Sequence, residues 1–147
     1  MRILVLGGTV FLSREVAAEA LRRGHDVTCA CRGESGSVPA GATHLRWDRD
    51  EEAPGELTAQ QYDAVVDVAR LPSRVRSALA ATRGAHWVFV SSVSVYADDA
   101  DPSGPGEGRL FEPIHEDIDL AEHPEAYGPM KVACEQTVVE EDRKSVV

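Results

Sequence analysis

Arg2-Ile3-Leu4-Val5-Leu6-Gly7-Gly8-Thr9-Val10-Phe11-Leu12-Ser13 is the stretch on which the fold turns. The run from Arg2 to Leu6 lacks the polar alternation of a half-solvated strand, so it reads as a strand buried on both faces. Gly7-Gly8 break it. Beyond them Leu12, Val16, Ala17, Ala20 and Leu21 recur at three- and four-residue spacing, the pattern of a helix with one apolar side, and Gly24 supplies its stop. Working outward, Asp26 to Cys31 reads as a second strand and Thr43 to Trp47 as a weaker third ending at Asp48. Tyr62-Asp63 lead into a fourth, Ala64 to Ala69, and His86 to Ser91 makes a fifth. Ser73 is placed to cap a helix that carries Val75, Ala78, Leu79 and Thr82 on one face. Strands alternating with helices require parallel crossovers, so the expected fold is a doubly wound α/β sheet. No internal repeat is visible.

The length of 147 residues fits a single domain, 1–147, and the apolar fraction of 43% is that of a globular chain. A formal net charge of −10 argues against a nucleic-acid partner, whose phosphates require clustered Lys and Arg. It leaves room for a small anion, which needs only a local patch of donors. Cys29, Cys31 and Cys134 form no C-x-x-C pair; the first two point to one face of a strand, and all three read as buried free thiols. No apolar run is long enough to span a bilayer, and the amino terminus does not read as a signal peptide. A soluble, reduced, cytoplasmic setting is the expectation, with no membrane partner.

The chain changes character after Ala97. Asp98, Asp99, Asp101, Pro102, Gly104, Pro105, Gly106 and Gly108 make an acidic, breaker-rich stretch that runs on to Glu125 and reads as solvated loop. A last helix is expected over Tyr127 to Asp142, with Met130, Ala133, Cys134, Thr137 and Val138 on one side. Pro129 is tolerated only in a first helical turn, which puts the helix start near Glu125 or Ala126. The five histidines show no i, i+4 pairing, and no metal site is expected.

Three segments could carry chemistry. Gly7 to Ser13 lies at a strand-to-helix turn, where backbone can approach a pyrophosphate and a helix N-terminus attracts its charge. Glycines also end strands for structural reasons alone. Tyr127 and Lys131 are four apart, hence side by side on a helix, and an ammonium beside a phenol favours its ionised form. Val88-Phe-Val-Ser91-Ser92-Val-Ser94-Val-Tyr96 puts hydroxyls at the carboxyl end of a parallel strand, where ligands bind in open α/β sheets.

The order of these segments is similar to the extended short-chain dehydrogenase/reductases, also called the NAD-dependent epimerase/dehydratase family. It runs glycine turn, Asp67-Val-Ala69 after the fourth strand, Ser-Ser-x-Ser-Val-Tyr after the fifth, then Tyr127-x-x-x-Lys131. The resemblance implies a Rossmann-type sheet of five mostly parallel strands, order 3-2-1-4-5. It implies Tyr127 as catalytic base, Lys131 as its partner and a contact of the nicotinamide ribose, and Ser92 as the active-site hydroxyl. Gly7, Thr9, Val10, Phe11 and Leu12 would face the cofactor phosphates, Asp48 the adenine, and Val68 and Ala69 the cofactor's flank. The chain departs from the pattern at Val10 and Ser13, which stand where the family has its second and third glycines. It departs again at Cys31-Arg32, where an NAD enzyme holds an acid. Arg32 can pair a 2′-phosphate, so NADP is favoured over NAD. The family's carboxyl-terminal substrate-binding region has no counterpart here, which would leave a sheet edge open to homo-oligomer formation.

Two functions follow from the resemblance. One is an NAD(P)-dependent epimerase, dehydratase or reductase acting on a nucleotide-linked sugar, or an inactive or truncated form of one. The other is a non-catalytic NAD(P)-binding regulatory or protein-interaction module.

Overall fold

The computed structural model describes residues 1–98 and 107–141. Strand β1 (Arg2–Leu6) lies at the middle of a five-stranded sheet, flanked by β2 (Asp26–Cys31) and β4 (Ala64–Asp67). Strands β3 (Thr43–Arg46) and β5 (His86–Phe89) form the edges, in the order β3-β2-β1-β4-β5. Every pairing is parallel; Leu4 stands opposite Thr28 on one side and Val65 on the other. This is the Rossmann-type order expected from the sequence.

The helices are α1 (Phe11–Arg22), α2 (Gly55–Thr58) and α3 (Pro72–Ala81), which lie between successive strands, and α4 (Tyr127–Glu141), which follows β5 and is preceded by one 3₁₀ turn at Pro124–Ala126. Side chains alternate across β1. Val5 packs with Ala17 and Ala20 of α1, whereas Leu4 and Leu6 join Val75, Ala78, Trp87, Phe89, Cys134 and Val138 on the side of α3 and α4. The period of two therefore feeds two separate apolar layers, which is why β1 shows no polar alternation.

Local chemistry sets the element ends. Gly24, at φ 78°, stops α1, with its own N–H bonded to the carbonyl of Leu21 and that of His25 to Ala20. Three expectations need correction. Helix α3 starts at Pro72, with Leu71 and not Ser73 as its N-cap. The Ser73 N–H and hydroxyl both donate instead to Asp117, far along the chain. Leu12 does not join the buried face of α1 and is 42% exposed, because the chain enters the helix there from the glycine turn. Strands β4 and β5 are shorter than their apolar runs, ending at Asp67 and Phe89. The short α2 was not foreseen.

The acidic stretch is held down where it is described. Leu110 bridges Tyr96, Phe111 N–H donates to the carbonyl of Val95, and Arg76 donates to the carbonyl of His115. Ile114 N–H reaches the carbonyl of Pro129, and Ile118 N–H the sulfur of Met130. The expected loop residues Asp99, Asp101, Pro102, Gly104, Pro105 and Gly106, and the helix end at Asp142, lie outside the described residues. Among the described residues no helix is long and apolar enough to cross a membrane, and no cluster could hold a metal ion.

Candidate functional site

Among the described residues, two large recesses and a smaller one between strand ends open beyond the carboxyl ends of the strands. The first is a cleft of about 770 Å³ over β1, β2 and β4. Its floor is the glycine turn. Gly8 has φ 103°, and a Cβ there would sit 2.5 Å from the sulfur of Cys29, so the turn presses directly on β2. Ser13 closes the turn from within: its hydroxyl accepts from Gly8 N–H at 3.1 Å and donates to the Val10 carbonyl at 3.0 Å. Phe11 is the one non-glycine among the described residues with positive φ, at 42°, and the residue is 90% exposed. A left-handed residue of this kind costs about 1 kcal/mol, and such strain gathers at ligand sites. Val10 caps α1 without any side-chain hydrogen bond, so the first-turn N–H groups keep their capacity for an anion.

Four arginines line this cleft: Arg32, Arg49, Arg70 and Arg74. Arg49 Nη1 bonds both carboxylate oxygens of Asp67, at 3.0 and 2.8 Å. Asp67 is fully buried at the end of β4 and also accepts from Ala69 N–H at 2.9 Å. Arg74 forks onto Asp50, which holds that carboxyl below its ordinary range and raises the guanidinium in turn. Arg32 stands between Glu34 at 3.5 Å and Asp48 at 3.9 Å. The sequence reading missed the Arg49–Asp67 pair because its members are 18 residues apart and neither lies in an amphipathic pattern. Glu34, an acid near the end of β2, was also passed over.

Of the residues expected at a cofactor, Gly7, Thr9, Val10, Arg32, Val68 and Ala69 come together along this cleft. Asp48 lines a smaller adjoining recess that shares Arg32 and Glu34 with it. Phe11 and Leu12 stand exposed at the start of α1 and are not among the lining side chains. Cys31, expected to be buried, lines the cleft half-buried, its sulfur 3.4 Å from His44 Nε2; burial pushes its thiol up.

The second recess, about 740 Å³, lies beside the start of α4. Tyr127 lines it together with Ser94, Tyr96, Phe111, Ile114 and Ile118. Gly128 makes this approach possible: a Cβ there would fall 2.0 Å from the Ser94 carbonyl oxygen. Ser92, the expected active-site hydroxyl, accepts from Ser94 N–H and donates to the Ser94 hydroxyl, both at 3.2 Å. The neighbouring Ser91 hydroxyl is buried without a partner among the described residues.

Lys131 lines neither recess. It is 2% exposed, and its Nζ donates to the carbonyls of Ala69 at 3.0 Å and Val90 at 2.5 Å, lying 3.9 Å from the Phe89 ring centroid. Burial holds its ammonium below the ordinary lysine value, opposed by the charges of Cys134, Asp67 and Glu135. Among the described residues no hydrogen bond joins Tyr127, Lys131 and Ser92. The structure therefore gathers the expected cofactor residues more closely than the expected catalytic ones.

No family model matches the sequence, and no curated protein is a significant match. Solved structures are similar. A UDP-galactose 4-epimerase is 22% identical with a TM-score of 0.73, covering 97% of this chain and 52% of its own. The UDP-N-acetylglucosamine 4-epimerase from Bacillus cereus is 20% identical with a TM-score of 0.66, covering 98% of this chain and 54% of its own. A Bordetella bronchiseptica enzyme solved with NAD and UDP is 18% identical with a TM-score of 0.68, covering 97% and 50%. The chain spans about half the length of each. It has the fold that UDP-sugar epimerases carry over about half of their length, in keeping with its resemblance to the extended short-chain dehydrogenase/reductases.

Proposed function

We propose that the chain binds a nicotinamide dinucleotide in the arginine-lined cleft and serves an epimerase, dehydratase or reductase acting on a nucleotide-linked sugar. One observation carries this reading. In a chain of net charge −10, an uncapped helix start and four arginines, three of them also facing carboxylates, converge on one cleft beyond β1, β2 and β4. Polyanion recognition by backbone donors and arginine forks requires that combination. The residues present fit the group: the glycine turn lies flat on β2, Ser13 is small enough to close it, and Val68 and Ala69 flank the opposite wall. A bound nicotinamide dinucleotide would supply a hydride acceptor and donor. Beside it, the Tyr127 hydroxyl would exchange a proton with a substrate oxygen, and Ser92 and Ser94 would steady that oxygen by hydrogen bonding. The solved structures with NAD and UDP support both the cofactor class and the substrate class.

Arg32 already faces two carboxylates, so a 2′-phosphate must compete for it. The preference for NADPH over NADH is therefore expected to be under tenfold. Calorimetry with each nucleotide tests the reading. Binding that weakens with salt supports it, and no heat with either at millimolar concentration overturns it.

A non-catalytic NAD(P)-binding module is the second reading, favoured by the engagement of Lys131 Nζ with two carbonyls. Turnover that Tyr127→Phe abolishes would exclude it.

A further inference from the structure

Helix α3 begins without a cap of its own. Leu71 precedes it and offers no side-chain acceptor, and Pro72 at its first position has no N–H. The N–H groups of Arg74 and Val75 turn back to the Leu71 carbonyl, at 3.1 and 3.4 Å. That leaves the Ser73 N–H, which donates to Asp117 Oδ1 at 3.0 Å, while the Ser73 hydroxyl donates to the other oxygen of the same carboxylate. A carboxylate at this place satisfies an orphan donor and faces the positive end of the helix. Here it comes from 44 residues away, on a separate segment.

That segment is a strap laid across α3 and α4. Arg76 of α3 donates to the His115 carbonyl at 3.1 Å. From the strap, Ile114 N–H donates to the Pro129 carbonyl and Ile118 N–H to the Met130 sulfur, both on α4. Immediately beyond Asp117 the strap becomes cleft wall: residues 118–121 line the cleft, as do Leu71 and Arg74 at the start of α3. A turn braces this wall, since Ala121 N–H donates to the Asp119 carboxylate and His123 N–H to its carbonyl, each at 2.8 Å. One carboxylate therefore fastens the wall to the helix start beside it, while Asp117 itself is not among the lining residues.

We infer that Asp117 is a positioning residue of the cleft: by capping α3 it fixes residues 118–121 as a wall, and through them the affinity for the ligand of the cleft. This rests on the reading proposed above, that the ligand is a nicotinamide dinucleotide. Charge alone predicts the opposite sign. The Asp117 carboxylate bears electrostatically on Arg74, which lines the cleft, so removing it should tighten an anionic ligand. Positioning predicts a weaker one.

Fluorescence titration of NADH into the full chain separates the two. Asp117→Ala is expected to weaken NADH about fivefold, the scale of two solvent-exposed hydrogen bonds. Ser73→Ala keeps the N–H donor and should weaken it about twofold. Asp117→Asn removes the same charge but keeps an acceptor, and should restore most of the affinity. Ala80→Gly, an exposed change in the last turn of α3, loosens the helix away from Ser73 and should leave NADH binding unchanged. Deuterium exchange without nucleotide reads the fastening itself. Asp117→Ala should speed the Ser73, Ile118 and Ala121 amides and leave those of β1 as they are. Unmoved Ile118 and Ala121 amides would overturn the inference. So would equal or tighter NADH binding by Asp117→Ala, or the same loss with Ala80→Gly. NADH silent on the unaltered chain sinks the cofactor alone, because the amides still decide whether Asp117 fixes the wall.

Discussion

The arginine-lined cleft and the aromatic recess lie side by side at one end of the sheet, with Ile118 lining both. The cleft is made mainly from strand ends and the turns that follow them, completed by Ile118, Asp119, Leu120 and Ala121 of the acidic stretch. The recess is made where the acidic stretch folds back against α4, and it depends on contacts between residues distant in sequence. Charge differs as well: four guanidinium groups line the cleft, three of them facing carboxylates, whereas among the described residues no Lys or Arg lines the recess.

The contact between Gly128 and Ser94 is the most direct place to break the recess while leaving the cleft whole. Alanine at a helical position is ordinarily better than glycine by about 1 kcal/mol. Here the added Cβ would stand 2.0 Å from a carbonyl oxygen, so Gly128→Ala is expected to cost about 3 kcal/mol in denaturant unfolding. A neutral or stabilising result would mean that α4 does not approach Ser94 as described. The cleft has its own weak point. Asp67→Asn leaves Arg49 with no carboxylate partner, and a loss of about 2 kcal/mol is expected, below that of a wholly buried pair because Arg49 is partly solvated. An unchanged midpoint in the same assay would make the pair dispensable.

Alkaline pH compares the two regions by another route. Cys29 lies under the glycine turn of the cleft and Cys134 on α4; burial pushes their thiols up to about 11 and about 12, from 9.0. Above pH 9 the unfolded chain releases these protons while the folded chain keeps them, so stability is full below pH 9 and falls as pH rises toward the folded values. By pH 10 the loss is about 1.3 kcal/mol for each thiol. Lys131 acts in the opposite sense: its folded value is lowered, so stability recovers as pH rises through that value toward 10.5. Denaturation at pH 8 and pH 10 should show a net loss that Cys29→Ala and Cys134→Ala each reduce. A loss untouched by both would assign the alkaline transition to other groups.

The smallest effect is expected at Arg32. Its replacement by alanine should weaken NADPH by less than tenfold and NADH hardly at all, as measured by calorimetry at low salt.

The sequence revealed these two regions unequally. The strands and the glycine turn were legible because they follow from local patterns: a run buried on both faces, a break, a helix of fixed period; the strand order was implied by the family resemblance. The grouping of Gly7, Thr9, Val10, Val68 and Ala69 follows from the same topology. Helix α2 escaped because four residues are too few to show a period. Ser73 looked like a cap because Ser commonly is one, but Pro72 starts the helix earlier and Asp117 supplies the acceptor from 44 residues away. The sharing of one recess by Tyr127 and Ser94 depends on Gly128, whose role is set by a carbonyl that no spacing rule could locate.

Ala69 lies just beyond the end of β4, where backbone amides ordinarily exchange with solvent in fast local openings. Its peptide groups are fastened on both sides: the N–H donates to buried Asp67, and the carbonyl accepts from buried Lys131. Releasing that amide requires disturbing an anion and risks freeing a cation, each held inside the protein. The Ala69 amide should therefore retain deuterium label on the timescale of the central strands, a slow hydrogen in what the trace of the chain alone would describe as a loop.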